Sequence, residues 1–304
     1  MGWIRPALQI ADDHSLILDY WRQIGIKDAT IIHFDMHHDL FNNAESKVDC
    51  GNFFWFGAIE GLIQHIYWIV PVPRSFLSGN YAHSVLNTLP PTIYSGLKQK
   101  KSGRWCANTD FFYLEIRAYD DLPKAYGNRE LHVSYDLDFF YHREFYGPII
   151  NPVDWVNKLN TYFVQQCPAS IFVALSLHDG YSPPTYRAVV DWFVNCIETG
   201  LVPEWSNTLW SYVHYYESMR LRDTPIDLEL DVPQKLPDEI LQFFDIFKCY
   251  LSEDFPKAFK NMSILPIILQ FNPMDELKVE HRHEKEPHAL IINRVRKAMK
   301  HYNA

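Results

Sequence analysis

The chain of 304 residues reads as an α/β protein: a mainly parallel sheet covered by helices on both faces, a three-layer α/β/α sandwich. Three observations point there. Short apolar runs recur at residues 7–11, 29–34 (rich in β-branched residues), 66–70, 131–135 and 170–176, and stretches with helical spacing of apolar residues lie between them. Apolar residues make up 47% of the chain and charged residues 21%, which is enough to bury a large core. Glycine and proline punctuate the elements, as Gly25 does after the first helical stretch and Pro152 at the start of a later one.

In chain order, residues 7–11 (ALQIA) form the first strand. Polar residues 12–15 lead into a helix with Ile17, Tyr20, Trp21 and Ile24 at helical spacing. Residues 29–34 (ATIIHF) are a buried strand. A helix is expected over residues 53–65 and a strand over 66–70, closed by Pro71. Residues 131–135 give the next strand. Asn151 caps a helix with Pro152 in its first turn, and Trp155, Leu159, Tyr162 and Phe163 mark its buried side. A strand at 170–176 and a helix at 185–198 follow. Beyond Arg220 the chain turns proline-rich and acidic, with Pro225, Pro233 and Pro237 among Asp223, Asp227, Glu229 and Asp231. Residues 1–304 are read as one α/β domain, with residues 221–304 an extension packed on it.

Charge and cysteine usage exclude several functions. The formal charge is −9, so a basic surface for nucleic acid is not expected. Five scattered cysteines without a C-x-x-C pair fit neither a disulfide framework nor a cysteine zinc site, and a reducing cytoplasm is the expected location. The N-terminus lacks the apolar core of a signal peptide, and the longest apolar stretches are too short to span a bilayer, so no membrane partner is expected.

Three segments carry the chemistry, each where a predicted strand ends: Asp13-His14-Ser15, Asp35-Met36-His37-His38-Asp39 and Asp136-Leu137-Asp138. In an open parallel sheet the carboxyl ends of the strands share one edge, where ligands bind. Strand-like alternation sets Asp35, His37 and Asp39 on one side, and His33 points the same way as Asp35. Crowded carboxylates raise one another's pKa, and divalent cations remove that penalty. Carboxylate with imidazole suits manganese, iron, nickel, cobalt or zinc more than calcium or magnesium. Two such ions would match six ligands and lower the pKa of a shared water by many units.

The order Asp-His-Ser, Asp-x-His-x-Asp, Ser-x-Asp-x-Asp resembles that of the ureohydrolases, the arginase and agmatinase superfamily. It is carried by ADDHS (11–15), FDMHHDL (34–40) and VSYDLDFF (133–140), down to about Gly180. The resemblance implies an arginase/deacetylase-like sandwich with two Mn2+ per chain. One ion would take His14, Asp39 and Asp136, the other His37 and Asp138, with Asp35 and Asp136 bridging. It further implies that Asp39 takes and passes a proton. Asp179, at the exit of the strand at 170–176, would fork the guanidinium, and His178 would carry a proton.

The departures from the family pattern point to a substrate. Leu40-Phe41 follows the ligand loop where free-arginine enzymes have Ile-Asn, and Phe54 in CGNFF (50–54) stands where they carry a histidine. The pattern, including DHSLILDYW (13–21), looks more like the branch that includes peptide arginases. Those enzymes turn arginine side chains of ribosomally made peptides into ornithine with release of urea. The expected partner is therefore an arginine-containing precursor peptide. Two alternatives stand beside it: the same fold acting on a free guanidino or amide compound such as arginine or agmatine, or a non-catalytic scaffold.

Overall fold

The computed structural model describes residues 6–42, 47–79, 82–124, 129–140, 150–176, 182 and most of 186–213. An eight-stranded sheet organises them. Its strands are β1 (Ala7–Ala11), β2 (Ala29–Phe34), β3 (Ile63–Val70), β4 (Lys98–Lys101), β5 (Arg104–Asn108), β6 (Tyr113–Ala118), β7 (Leu131–Asp136) and β8 (Ser170–Ala174). They lie in the order β1-β8-β7-β2-β3-β6-β5-β4. The five strands read from the sequence are all present and run parallel, joined by β6.

β5 and the edge strand β4 are, like β6, not among the strands expected from the sequence. They add to β6 as antiparallel strands, turning at Gly103, whose φ of 72° favours glycine. β4 is Lys-Gln-Lys-Lys and fully exposed, so it carries no apolar pattern to read. Lysines on an outer strand discourage pairing with another chain, which suits this position.

Both faces of the sheet are covered. Helix α1 (Leu16–Ile24) buries Ile17, Leu18 and Trp21, and Gly25 ends it in a left-handed turn, with its N–H donating to Trp21 and Arg22 carbonyls. Ile24, expected on the buried side, is exposed. Helix α2 (Phe53–Ile59) packs on α1 through Phe53 and Phe54 against Trp21. The same two rings lie against His33, so these helices cover the His33 side of β2. Phe34, next along β2, points the other way onto Tyr135, Phe139 and Phe163. Phe163 belongs to the last turns of helix α6 (Pro152–Gln166), whose residues from 162 on lie with the sheet, on that opposite face. Short helices α3 (Arg74–Ser78), α4 (Ala82–Leu86) and α5 (Pro91–Tyr94) lie between β3 and β4.

Helix α2 stops well before the expected residue 65. Gly61, at φ 71°, reverses the chain, with Gly61 N–H donating to Ala58 O and Leu62 N–H to Gly57 O. This glycine cap starts β3 at Ile63, three residues early. Gly57 packs closely on β3, where a Cβ would lie 2.7 Å from Ile63 Cδ1 and displace that side chain. The α6 cap forms as expected: Asn151 Oδ1 accepts Val153 N–H at 2.9 Å and Asp154 N–H at 3.3 Å.

The chain divides into two compact units, residues 1–140 with 162–175, and residues 141–161 with 176–304. In the second, Asn160 on α6 donates to Cys196 O on helix α7 (Arg187–Thr199) at 3.1 Å. Trp192 there donates to Ser206 Oγ at 2.7 Å and meets Trp210 edge-on. The expected extension at 221–304 lies outside the described residues. Among those described, no helix is long and apolar enough to cross a membrane.

Trp21 is fully buried between α1 and α2. Trp21→Ala is expected to cost about 3–5 kcal/mol, read as a lowered urea midpoint. A loss below about 1 kcal/mol would mean that the α1–α2 contact is not part of the core.

Candidate metal centre

Strand register assembles the site within the first unit. In the β2–β7 pair Phe34 lies opposite Tyr135, so Asp35 and Asp136 leave the sheet side by side. Beyond β7 a tight 3-10 turn over Leu137–Phe140 brings Asp138 back, with Asp136 Oδ1 accepting the Asp138 N–H at 2.9 Å. Beyond β2, Asp35 Oδ1 accepts the His37 N–H at 2.6 Å. His14 enters from the turn between β1 and α1. Its ring sits between Phe53 and Phe172, and its Nδ1 faces carboxylates.

All six residues expected as metal ligands come together here. His14 Nδ1 lies 3.3 Å from Asp35 Oδ2, 3.3 Å from Asp39 Oδ2 and 3.2 Å from Asp136 Oδ2. His37 Nδ1 lies 2.7 Å from Asp138 Oδ2 and 3.4 Å from Asp35 Oδ1. Two donor groups result: His14, His33, Asp35 and Asp39 in one, and Asp35, His37 and Asp138 in the other. Asp35 belongs to both and turns one oxygen to each. His178 and Asp179 lie outside the described residues.

The loop between Asp35 and Leu40 is held from several sides. Asp39 has a left-handed backbone, φ 52°, which aspartate tolerates better than branched residues do. His38 accepts the Leu40 N–H on Nδ1 at 2.8 Å and donates from Nε2 to Thr88 O at 2.9 Å. Burial pushes His38 down to about 4, so it is a neutral anchor. Phe41 N–H donates to Gly51 O, and a Cβ on Gly51 would come within 3.0 Å of the Phe41 ring. His38 shows no sequence signal separating it from a ligand, and only its contacts assign it to the scaffold.

The electrostatics are those of a cluster short of positive charge. Burial, together with the charge of Asp35, pushes Asp39 and Asp136 up. Burial and the charges of Asp136 and Asp35 push Asp138 well up in spite of His37. Burial opposes the charged form of Asp35, but His33, His14 and His37 around it hold it below the usual carboxylate range. Burial likewise opposes protonation of His14 and His37. Hydrogen bonding and charge from Asp136 and Asp35 raise His14, and Asp138 and Asp35 raise His37, both well above the ordinary histidine value. Burial pushes His33 down to about 3, leaving it neutral.

This donor set could hold metal ions. Asp35 Oδ2 and Asp138 Oδ2 are buried and accept no hydrogen bond among the described residues. Asp138 Oδ2 and His37 Nδ1 lie only 2.7 Å apart, close enough to serve one ion together. The four aspartates carry four negative charges, which two divalent ions would cancel with both histidines neutral.

No family model matches the chain, and no curated protein matches it. Among solved structures it is similar to a hypothetical agmatinase from Burkholderia thailandensis at 12% identity and a TM-score of 0.31. The match covers 71% of this chain and spans 61% of that one.

The titrations have a direction in chelator-treated protein. His14 and His37 are raised, so their contribution to folding is complete below about pH 6.5 and lost as pH climbs through the raised values. Asp39, Asp136 and Asp138 are raised, so their protonated forms favour the folded state and that contribution is lost as pH rises above about 4. Asp35 runs the other way, as do His33 and His38, whose lowered values make the folded state gain stability as pH rises toward about 6.5. The melting temperature is expected to fall between about pH 6.5 and about pH 8, where the raised His14 and His37 lose their protons, and added Mn2+ to restore more of it at the higher pH. A melting temperature that rises over this range with no response to Mn2+ would contradict the cluster.

Proposed function

We propose that the chain is a dinuclear metal-dependent hydrolase of the arginase type, converting arginine side chains in a peptide to ornithine with release of urea. The observation that carries this reading is Asp35, buried and offering one oxygen to each of two donor groups. The protein's own interactions leave such a carboxylate underused, and it suits a pair of ions a few ångströms apart.

His14, Asp39 and Asp136 would hold one ion, and His37 and Asp138 the other, with Asp35 and Asp136 bridging. Manganese fits this carboxylate-rich set with imidazole. Bound there, two divalent ions supply a water acidic enough to act as a nucleophile at neutral pH. Asp39, with its carboxylate buried and its pKa pushed up, is suited to hold the proton of that water and deliver it to the departing nitrogen. Asp179 would orient the guanidinium in a bidentate fork, and His178 would carry the proton onward. The balance is one water consumed per arginine side chain, giving urea and the ornithine amine.

The peptide substrate is supported by two aromatic residues. Phe54, at the position where a histidine serves free-arginine enzymes, is fully buried against Trp21 and His33. Phe41, where an asparagine would meet an α-carboxylate, is a half-exposed ring packed on His38. Neither can pair with a free α-carboxylate or α-amine, and an arginine within a peptide has neither group. The cytoplasm remains the proposed location and a precursor peptide the proposed partner.

Incubation with Mn2+ and arginine-containing peptides is expected to release urea and lower the peptide mass by CH2N2. Free arginine should turn over far more slowly. Unchanged peptide masses across varied sequences, with urea formed from free arginine, would transfer the reading to a small-molecule substrate. Asp136→Ala is expected to abolish both manganese occupancy and turnover while the far-ultraviolet spectrum is kept, and an active variant would contradict the ligand assignment.

A further inference from the structure

His33 and Ser134 face each other across the β2–β7 pair, on the side of the sheet where His14 lies. Both are fully buried. His14 Nε2 is 2.7 Å from Ser134 Oγ, Ser134 Oγ is 3.3 Å from His33 Nδ1, and His33 Nε2 is 3.1 Å from the His37 carbonyl oxygen. A carbonyl only accepts, so His33 donates there from Nε2. His14 turns Nδ1 to the carboxylates, and a nitrogen that binds a cation carries no proton, so the hydrogen of His14 sits on Nε2 and is donated to Ser134. The single hydroxyl hydrogen of Ser134 is then directed to His33 Nδ1. The chain of donors has one direction throughout: His14 to Ser134, Ser134 to His33, His33 to the His37 backbone.

The same order shows why His33 is not itself a ligand, although it lies in the first donor group. Its Nε2 is nearer the His37 carbonyl than Asp35 Oδ2 at 3.4 Å or Asp39 Oδ2 at 3.5 Å, and the hydrogen it bears occupies the direction a cation would need.

We propose that His33 is a positioning residue that couples the two metal positions, fixing through Ser134 which nitrogen of His14 is presented and through the His37 carbonyl the turn that carries His37. This rests on the dinuclear reading above. Partners of this kind that orient a ligand typically change metal affinity by about 10–100-fold. The two nitrogens of His33 serve different positions, and two substitutions separate them. In His33→Asn the amide oxygen stands near Nδ1 and can still accept from Ser134. In His33→Gln the amide nitrogen stands near Nε2 and can still donate to the His37 carbonyl.

The test uses full-length protein labelled with 15N-histidine and titrated with Zn2+, followed by calorimetry and by the ring nitrogen shifts. In the wild type, two equivalents are expected to bind, His14 through Nδ1, and His33 is expected to keep an unprotonated Nδ1. His33→Gln should weaken the equivalent seen at His14 about 10–100-fold, and His33→Asn the one seen at His37. His33→Phe, which keeps an aromatic ring but neither nitrogen, should weaken both. Two equivalents bound with wild-type affinity in these variants would overturn this inference alone, as would a His33 ring protonated on Nδ1. Equal weakening of both equivalents by the Asn and Gln variants would reduce His33 to packing and overturn it as well. A wild-type protein that takes up no Zn2+ and no Mn2+ would overturn the dinuclear reading, and the coupling with it.

Discussion

Register between two neighbouring strands sets the carboxylates of Asp35 and Asp136 side by side at the same edge of the sheet. Two acids in that position repel each other, and burial removes the water that would screen them. Nearby groups answer only part of this. His14 lies within 3.3 Å of three of the carboxylates and His37 within 3.4 Å of two, so two imidazoles stand against four acids. The sheet around them cannot relax the contact, because β2 and β7 are central strands whose residues are buried throughout. The fold therefore holds the repulsion in place, and the shifted titrations, the tight Asp138 turn and the anchored loop after β2 all follow from that one constraint.

The scaffold that tolerates this arrangement is largely aromatic. Phe53, Phe54 and Phe172 surround the two buried histidines on one side of the sheet, while Tyr135, Phe139 and Phe163 gather around Phe34 on the other. Rings of this size fill space without offering hydrogen bonds, so the few polar groups enclosed with them must satisfy one another. His33 and Ser134 do so as links in a directed chain, and His38 does so through backbone groups of Leu40 and Thr88. Three histidines within six residues thus have three occupations: His33 orients, His37 faces the second donor group, and His38 ties the loop down.

Much of this was legible in the sequence, because parallel strands and their exits are written in local patterns. The runs at 29–34 and 131–135 locate β2 and β7, and acids directly after such runs must share an edge whatever the strand order. Other features depended on contacts that leave no local trace. β4 and β5 exist because β6 offers them an edge, and Lys-Gln-Lys-Lys alone gives no periodicity. The early end of α2 was signalled by Gly61, but the aromatic residues before it and Ile63 beyond it made the helical pattern look longer than it is. The separate tasks of His33 and His38 were out of reach, since which nitrogen donates to which group depends on partners about a hundred residues away for His33 and 50 away for His38.

Specificity can be argued from the loop that follows the ligands. Leu40 is buried, and Phe41 leaves the loop half-exposed, edge-on to His38, with its backbone pinned to Gly51. A side chain at residue 51 would meet that ring at 3.0 Å. The loop thus presents a fixed apolar surface next to a cluster of carboxylates. A free amino acid brings a carboxylate of its own, which such a surface cannot pair and the neighbouring acids would repel. A peptide brings a neutral backbone and apolar neighbours, with only the arginine side chain charged. Loss of a polar contact and gain of a ring then amount to one change in substrate preference, on the proposed reading of the site.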